Sequence, residues 1–292
     1  MKTLVFGEIL WDIIDGKPYL GGAPLNFAAH LVQCNEEATI ISALGLDELG
    51  DCAISAVKNL GVNTSLIQRN EKRTGIVPVS LIGGEPSYEI IPDVAYDYIK
   101  ESHINARSLD SFDSFYFGTL IQRSEESKTT LLKILSTNQF ENIFYDVNLR
   151  DNCYSQDSIE TGLQYCTILK LNKDEVLTLS YLISGIHSDS LEDFCRTVSS
   201  SHPQIEIIII TASADGSFIW SENTLINIPS HPIEIVDAVG AGDSYSAAFI
   251  TILHRTGDPK EAAKIANEIG AFVASSNGAI PKYPEKLKRI FI

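Results

Sequence analysis

The stretch Asp237-Ala238-Val239-Gly240-Ala241-Gly242-Asp243, continued by Ser244-Tyr245-Ser246-Ala247-Ala248-Phe249, decides how this chain is read. Ahead of it, Ile233 to Val236 has the apolar character of a strand. Behind it, Tyr245, Ala248, Phe249, Ile252 and Leu253 recur at three- and four-residue spacings, the stripe of a helix face. The expectation is a strand that turns through glycines into a helix. The first N–H groups of a helix have no intrahelical partners, and the helix dipole is positive at that end. Glycines let that backbone come close to a ligand, so a phosphate is the natural guest. Asp243 stands at the same place, where a carboxylate repels an anion unless it takes a proton from a hydroxyl attacking the phosphorus. The combination predicts phosphoryl transfer to an alcohol.

Two plainer readings compete. Gly-x-Gly-Asp before a helix can be a turn with Asp243 as N-cap. A dinucleotide fingerprint would share Gly240 and Gly242, but Tyr245 stands where its third glycine is needed and no βαβ unit follows. The dinucleotide reading is rejected.

Outside this stretch, composition narrows the field. The 292 residues are 44% hydrophobic and 21% charged, the balance of a globular protein with a sizeable core. With 22 basic against 38 acidic residues the net charge is -16, which argues against a nucleic-acid groove or an anionic membrane surface. It leaves room for a nucleotide held locally by a helix terminus and a metal ion. The five cysteines (Cys34, Cys52, Cys153, Cys166, Cys195) form no Cys-x-x-Cys pair and predict buried free thiols in a reducing compartment. No secretory signal or bilayer-length apolar run is visible, so a cytoplasmic protein is expected.

In chain order, Thr3 to Phe6 predicts a short buried strand. Ile9 to Ile14 and Lys17 to Leu20, joined by Asp15-Gly16, predict a hairpin. Gly21-Gly22-Ala23-Pro24 then opens a helix with Leu25, Ala28, Ala29 and Val32 on its apolar face. Ala38 to Leu44 predicts a strand, Gly45 to Asp51 a loop and Ala53 to Leu60 a helix closed by Gly61. Thr74 to Ile82 and Ser87 to Ile91 predict a second hairpin across Gly83-Gly84. From Phe112 onward strands (Ser114 to Phe117, Asn142 to Val147, Thr167 to Leu171, Ile205 to Thr211, Ser217 to Trp220) are separated by helical stretches such as Lys128 to Leu135 and Leu191 to Ser199. This alternation predicts an α/β fold, a doubly wound, mostly parallel sheet, over one domain spanning residues 1–292. The hairpins at about 9–20 and 74–92 form a small β-hairpin lid. Ligands of such sheets bind beyond the C-terminal strand ends.

With these motifs in place the chain closely resembles the ribokinase-like (PfkB) carbohydrate kinases, and among them the fructokinase-type members. The resemblance runs from Gly7-Glu8 to Asn277-Gly278-Ala279. Its most specific piece is Asp237 to Asp243, similar to the family's C-terminal signature; Gly21 to Ala28 is similar to the N-terminal one. The resemblance implies that Asp243 is the general base and that the amides of Gly240, Ala241 and Gly242 form the anion hole for the transferring phosphoryl group. Glu8, Asp12, Gly22 and Asn26 lie on segments that carry sugar contacts in similar proteins. Asp146-Val147-Asn148-Leu149-Arg150 resembles the family's Asp-x-Asn-x-Arg segment, in which Arg150 would hold a phosphate or an acidic sugar group; a surface ion pair is the plainer alternative. Asn172 and Glu175 resemble the Asn-x-x-Glu element that places magnesium through its waters, and the same spacing is a capping box. Thr211 and Gly216 match the nucleotide segment Thr-x-Gly-x-x-Gly, but Ser213 replaces its first glycine, adding a side chain where backbone should pass close to ATP. Asn277 would line the adenine pocket, and Asp237 would help build a potassium site.

The implied activity is a Mg-ATP-dependent sugar kinase, with fructose phosphorylated at its 6-hydroxyl as the first choice. Gly7 to Asp12, Gly21 to Asn26 and Val94-Ala95-Tyr96-Asp97 resemble fructokinases most. Ribose and a keto-deoxy sugar acid are the rival acceptors, and a catalytically silent sugar or nucleotide sensor on the same fold is the rival from another class. A P-loop, a His-Glu-x-x-His site and paired Cys/His spacings are absent from the sequence, the six histidines are expected to be structural, and Ser244 and Ser246 to be helix-start residues. Open hairpin edges predict pairing between subunits, a homodimer.

Overall fold

Strand β1 (Lys2–Phe6) leads into the hairpin β2 (Leu10–Ile14) and β3 (Lys17–Gly21), then α1 (Ala23–Gln33), β4 (Glu37–Gly45), α2 (Glu48–Asn59) and β5 (Ile67–Asn70). Next come β6 (Gly75–Ile82), β7 (Glu85–Tyr88), β8 (Ser114–Gly118), α3 (Glu125–Thr137), β9 (Asn142–Asp146), α4 (Gln156–Tyr165) and β10 (Ile168–Asn172). The chain finishes with α5 (Lys173–Ser184), α6 (Leu191–Ser201), β11 (Ile207–Thr211), β12 (Ser217–Ser221), β13 (Thr224–Ile228), α7 (Ala241–Thr256), α8 (Pro259–Ala274) and α9 (Glu285–Lys288). The structure, a computed structural model, describes residues 1–82, 85–104 and 109–292. The Gly83-Gly84 turn expected for the second hairpin lies outside the described residues, although β6 and β7 pair antiparallel on either side of it.

The main sheet has the order β13-β12-β11-β10-β9-β8-β1-β4-β5, parallel throughout except at β12 and β13. This is the doubly wound α/β fold expected. Side chains alternate across a strand, so Val5, Ile40, Tyr116, Phe144 and Ile168 join one core with α1, α2, α7 and α8. Leu4, Phe6, Ile41, Phe115, Tyr145 and Leu169 join the other, with α3 to α6. The β1 neighbours β4 and β8 lie on opposite sides of it, which makes this the switch point where loops diverge and a crevice opens. The small second sheet, β3-β2-β6-β7, carries both predicted hairpins.

Several local expectations are corrected. Ile233 to Val236 is not a strand. The amides of Val236 and Asp237 instead donate to the Ala274 carbonyl at the end of α8. Its apolar side chains stay exposed, Ile235 by 63%. Helix α2 starts at Glu48, inside the expected loop, because the Asp47 side chain accepts from the Gly50 N–H and caps it. Strands β5 and β13 were not anticipated. Of the five thiols only Cys34, Cys166 and Cys195 are buried; Cys52 points off the outer face of α2 and is exposed, and Cys153 in the loop after β9 is half-buried.

Candidate active site

Helix α7 is buried nearly all round from Asp243 to Ile252, and its N-terminus is aimed at the crevice. Gly240 is its N-cap, at φ 79, a left-handed conformation that only glycine adopts readily. A Cβ there would also collide with the backbone of Ala279. The first regular helical bond is Ser244 N–H to the Gly240 carbonyl. The amides of Ala241, Gly242 and Asp243 therefore precede the ladder, and among the described residues only that of Ala241 has a turn partner, Ala238 O at 3.3 Å. No side chain caps this end, so Asp243 is not an N-cap. It is the third helical residue, and its carboxylate accepts from Asn26 Nδ2 at 2.8 Å. Burial, reinforced by the nearby Asp146 carboxylate, raises the Asp243 carboxyl from 3.8 to about 6, against the opposing pull of Lys170, Asn26 and Arg150.

Beneath this loop lies an ion pair. The parallel register sets Lys170 of β10 opposite Asp146 of β9, and Lys170 Nζ donates to both carboxylate oxygens at 3.0 and 2.9 Å. Tyr116 and Ser246 hydroxyls donate to the same Asp146 oxygen at 3.2 and 3.3 Å. A Cβ on Gly242 would lie 3.2 Å from Lys170 Nζ, so the ammonium sits directly under the loop. Burial alone would lower the Lys170 pKa, but Asp146 and Asp243 outweigh it and the group stays charged.

On the other side, toward the small sheet, stand Glu8 and Asp12. Glu8 follows β1 and is buried, and desolvation raises its carboxyl to about 7. Asp12, on β2, is raised by burial to about 6. Arg150, exposed, lowers the pKa of Glu8, Asp12 and Asp243 alike through space. It makes no ion pair among the described residues, and its hydrogen bond is to its neighbour's carbonyl, Leu149 O at 3.1 Å. Glu8, Tyr116, Thr119, Asp146, Asn148 and Arg150 line a cavity of about 20 Å³ at the base of the crevice. Gly22, at φ 109, packs its backbone on the Glu8 carbonyl. In the Val94 to Asp97 segment, Tyr96 packs its ring on Gly75 at the start of β6, and Asp97 is gripped by Arg123 Nε and Nη2 at 2.8 and 2.9 Å.

The nucleotide-side candidates follow β10 and β11. Asn172 and Glu175 form the reciprocal capping box of α5, with Glu175 also accepting from Leu149 N–H at 2.6 Å. Thr211 ends β11. Ser213 takes a left-handed φ of 47, the conformation glycine adopts most easily, and Gly216, at φ 88, passes against the 228–230 backbone. Asn277 is exposed. Asp237 ties two loops together, accepting from Val239 N–H at 3.0 Å and Gly278 N–H at 3.1 Å.

The description "pfkB family carbohydrate kinase" matches residues 6–286 of the chain. The chain belongs to this carbohydrate kinase family. An Arabidopsis thaliana protein named "Probable fructokinase-5" is 27% identical across 96% of this chain and 93% of its own. The ATP complex of an uncharacterized sugar kinase from Pyrococcus horikoshii is 25% identical, with a TM-score of 0.84 over 99% of this chain and 100% of that one. A Vibrio cholerae fructokinase, crystallised with fructose, ADP and calcium, is 19% identical with a TM-score of 0.83 over 99% and 98% of the two chains, a likeness of fold.

Of the residues singled out for the sugar side, Asn26 bonds Asp243 at the start of α7, and Arg150 acts on Glu8, Asp12 and Asp243 through space. Asn172, Thr211, Gly216 and Asn277 lie on strand ends and loops of the other half. Sequence reasoning missed Lys170, Tyr116 and the part played by Ser246. The signal for Lys170 was a lone lysine inside the apolar strand Ile168-Leu169-Lys170-Leu171.

Proposed function

We propose that this carbohydrate kinase transfers the γ-phosphoryl group of Mg-ATP to the hydroxyl of a neutral sugar, with fructose at its 6-hydroxyl as the first acceptor to test. The observation that carries the reading is the Asp243 carboxylate, held by Asn26 beside the unladdered amides at the start of α7. A pKa near 6 leaves Asp243 ionised and still basic enough at neutral pH to accept the acceptor's proton. Of the expected Gly240, Ala241 and Gly242 amides, that of Ala241 is engaged by Ala238 O, so the Gly242 amide, joined by that of Asp243, would receive the phosphoryl oxygens, with the Lys170 ammonium below favouring that negative charge. Glu8, Asp12 and the Gly22 backbone would position the sugar hydroxyls, and the small sheet would cover them and exclude water. One arginine acting at a distance on the carboxyls of Glu8, Asp12 and Asp243 leaves no positive surplus for a sugar acid, which favours a neutral acceptor over a keto-deoxy acid. The named fructokinases among the relatives favour fructose over ribose.

The fit to the metal rests on donor chemistry. Glu175, fixed by two backbone amides, offers the hard oxygen donors that magnesium accepts through water. Magnesium, when bound with ATP, neutralises charge on the phosphate oxygens. Asn172, Thr211, Gly216 and Asn277 would border the nucleotide. The lone pairs that Asp237 keeps beyond its two amide contacts would serve a monovalent cation. The chain would act in the cytoplasm, as a homodimer paired through its small sheet.

The test is ADP release with Mg-ATP across fructose, ribose, glucose, keto-deoxygluconate and adenosine, with Asp243→Asn alongside. Turnover on fructose that falls about 100- to 10,000-fold in the variant is the expected result, the range typical of losing a general base. Wild-type-like turnover in the variant would sink the base assignment. Binding without turnover on any acceptor would favour the sensor.

A further inference from the structure

Helix α1 is apolar on most of its surface, yet Asn26, His30 and Gln33 fall at i, i+4 and i+7 and so share one face. Each reaches a segment more than 200 residues away in the chain. Asn26 holds Asp243. His30, wholly buried, has Nε2 2.9 Å from the Ala279 carbonyl and Nδ1 2.8 Å from the Tyr283 hydroxyl. Gln33 donates to the Pro281 carbonyl at 3.1 Å and accepts from the Tyr283 N–H at 2.9 Å. A carbonyl only accepts, so Nε2 carries the proton. Burial lowers the His30 pKa to about 4, so the ring is neutral and Nδ1 must accept from Tyr283. The tautomer is therefore set by its partners. The Ala279 backbone that His30 grips is the one packed on Gly240, and Asp237 holds the neighbouring Gly278 from the opposite side.

We propose that His30 is a positioning residue: the polar face of α1 fixes the anion-binding turn at Gly240 to Gly242, through Ala279, at a set distance from the base that Asn26 holds one helical turn earlier. The inference rests on the phosphoryl-transfer reading of that turn and deepens it.

The experiment compares His30→Gln, whose amide nitrogen can take the place of Nε2, with His30→Asn, which is too short to reach Ala279. Tyr283→Phe removes the hydroxyl that donates to Nδ1 and holds the ring against Ala279. For each, kcat, the sugar KM, thermal midpoints and the dissociation constants of adenosine and of magnesium adenylyl imidodiphosphate (a non-hydrolysable ATP analogue) are measured. The Asn variant should lose at least tenfold in kcat with sugar KM within threefold, and bind the analogue at least fivefold more weakly while adenosine binding holds. The Gln variant should recover most of both, even where its midpoint falls as far. Equal behaviour of Gln and Asn, or losses that follow the midpoints, would overturn the inference. If the wild type turns over no sugar, the kinase reading fails, and the analogue affinities still decide: a loss in Asn restored in Gln supports the positioning role, and equal affinities end it. Should the Asn variant not fold, Tyr283→Phe decides, with a three- to tenfold loss of kcat and analogue affinity expected and unchanged values refuting.

Discussion

Replacing Lys170 by methionine probes the charge beneath the active-site turn. Lys170 and Asp146 have side chains only 9% and 1% exposed and share two hydrogen bonds. Removing one partner of such a pair strands the other charge in the interior, a loss of about 3–5 kcal/mol. For a chain of this size that corresponds to a thermal midpoint lower by about 6–10 °C. The double variant Lys170→Met/Asp146→Asn leaves neither charge behind and should regain most of the loss. Catalysis should respond with a definite sign. In the native protein Lys170 lowers the Asp243 pKa and Asp146 raises it, with a result of about 6. The wild-type kcat/KM should therefore fall as pH drops through about 6, where Asp243, the proposed base, becomes protonated. Without Lys170 the base is protonated at higher pH, so that limb should move upward by about one pH unit, the order expected of one nearby charge. The double variant also loses the opposing carboxylate, and its limb should return toward the wild-type position. Thermal denaturation and kcat/KM between pH 5 and 9 read both effects. A Lys170→Met protein with a native midpoint and an unmoved acid limb would refute the reasoning.

Two further substitutions test the crevice from its other sides. Glu8 has a folded-state pKa of about 7 against an ordinary 4.5, so the folded protein binds that proton more tightly and loses stability as pH rises through this window. Glu8→Gln should be more stable than the wild type at pH 8 by up to about 3 kcal/mol, with the gain gone below about pH 5, and should turn over sugar poorly; urea denaturation at both pH values checks the sign. Gly240→Ala should cost about 1–2 kcal/mol for the left-handed φ alone, more for the collision with Ala279, and reduce turnover at least 100-fold, which a kinetic assay on folded variant would contradict by finding native rates.

Much of the site was legible in the chain because its parts are local. The glycines before α7 and the Asn172–Glu175 capping box each depend on residues within a few positions, where spacing dictates which backbone groups a side chain can reach. The alternation of strands and helices likewise marked the strand ends that carry or precede Glu8, Arg150 and Thr211. Composition misled at Ile233 to Val236, because a strand needs a partner strand as well as β-branched residues, and here the backbone amides are taken by the end of α8. Tertiary structure alone decided that Asn26 meets Asp243, that Lys170 faces Asp146 through the β9–β10 register, and that His30 reaches Ala279. These pairings set the charge and geometry of the candidate site. They join residues far apart in the chain, and only the packed sheet and helices fix which of the many possible partners come within hydrogen-bonding distance.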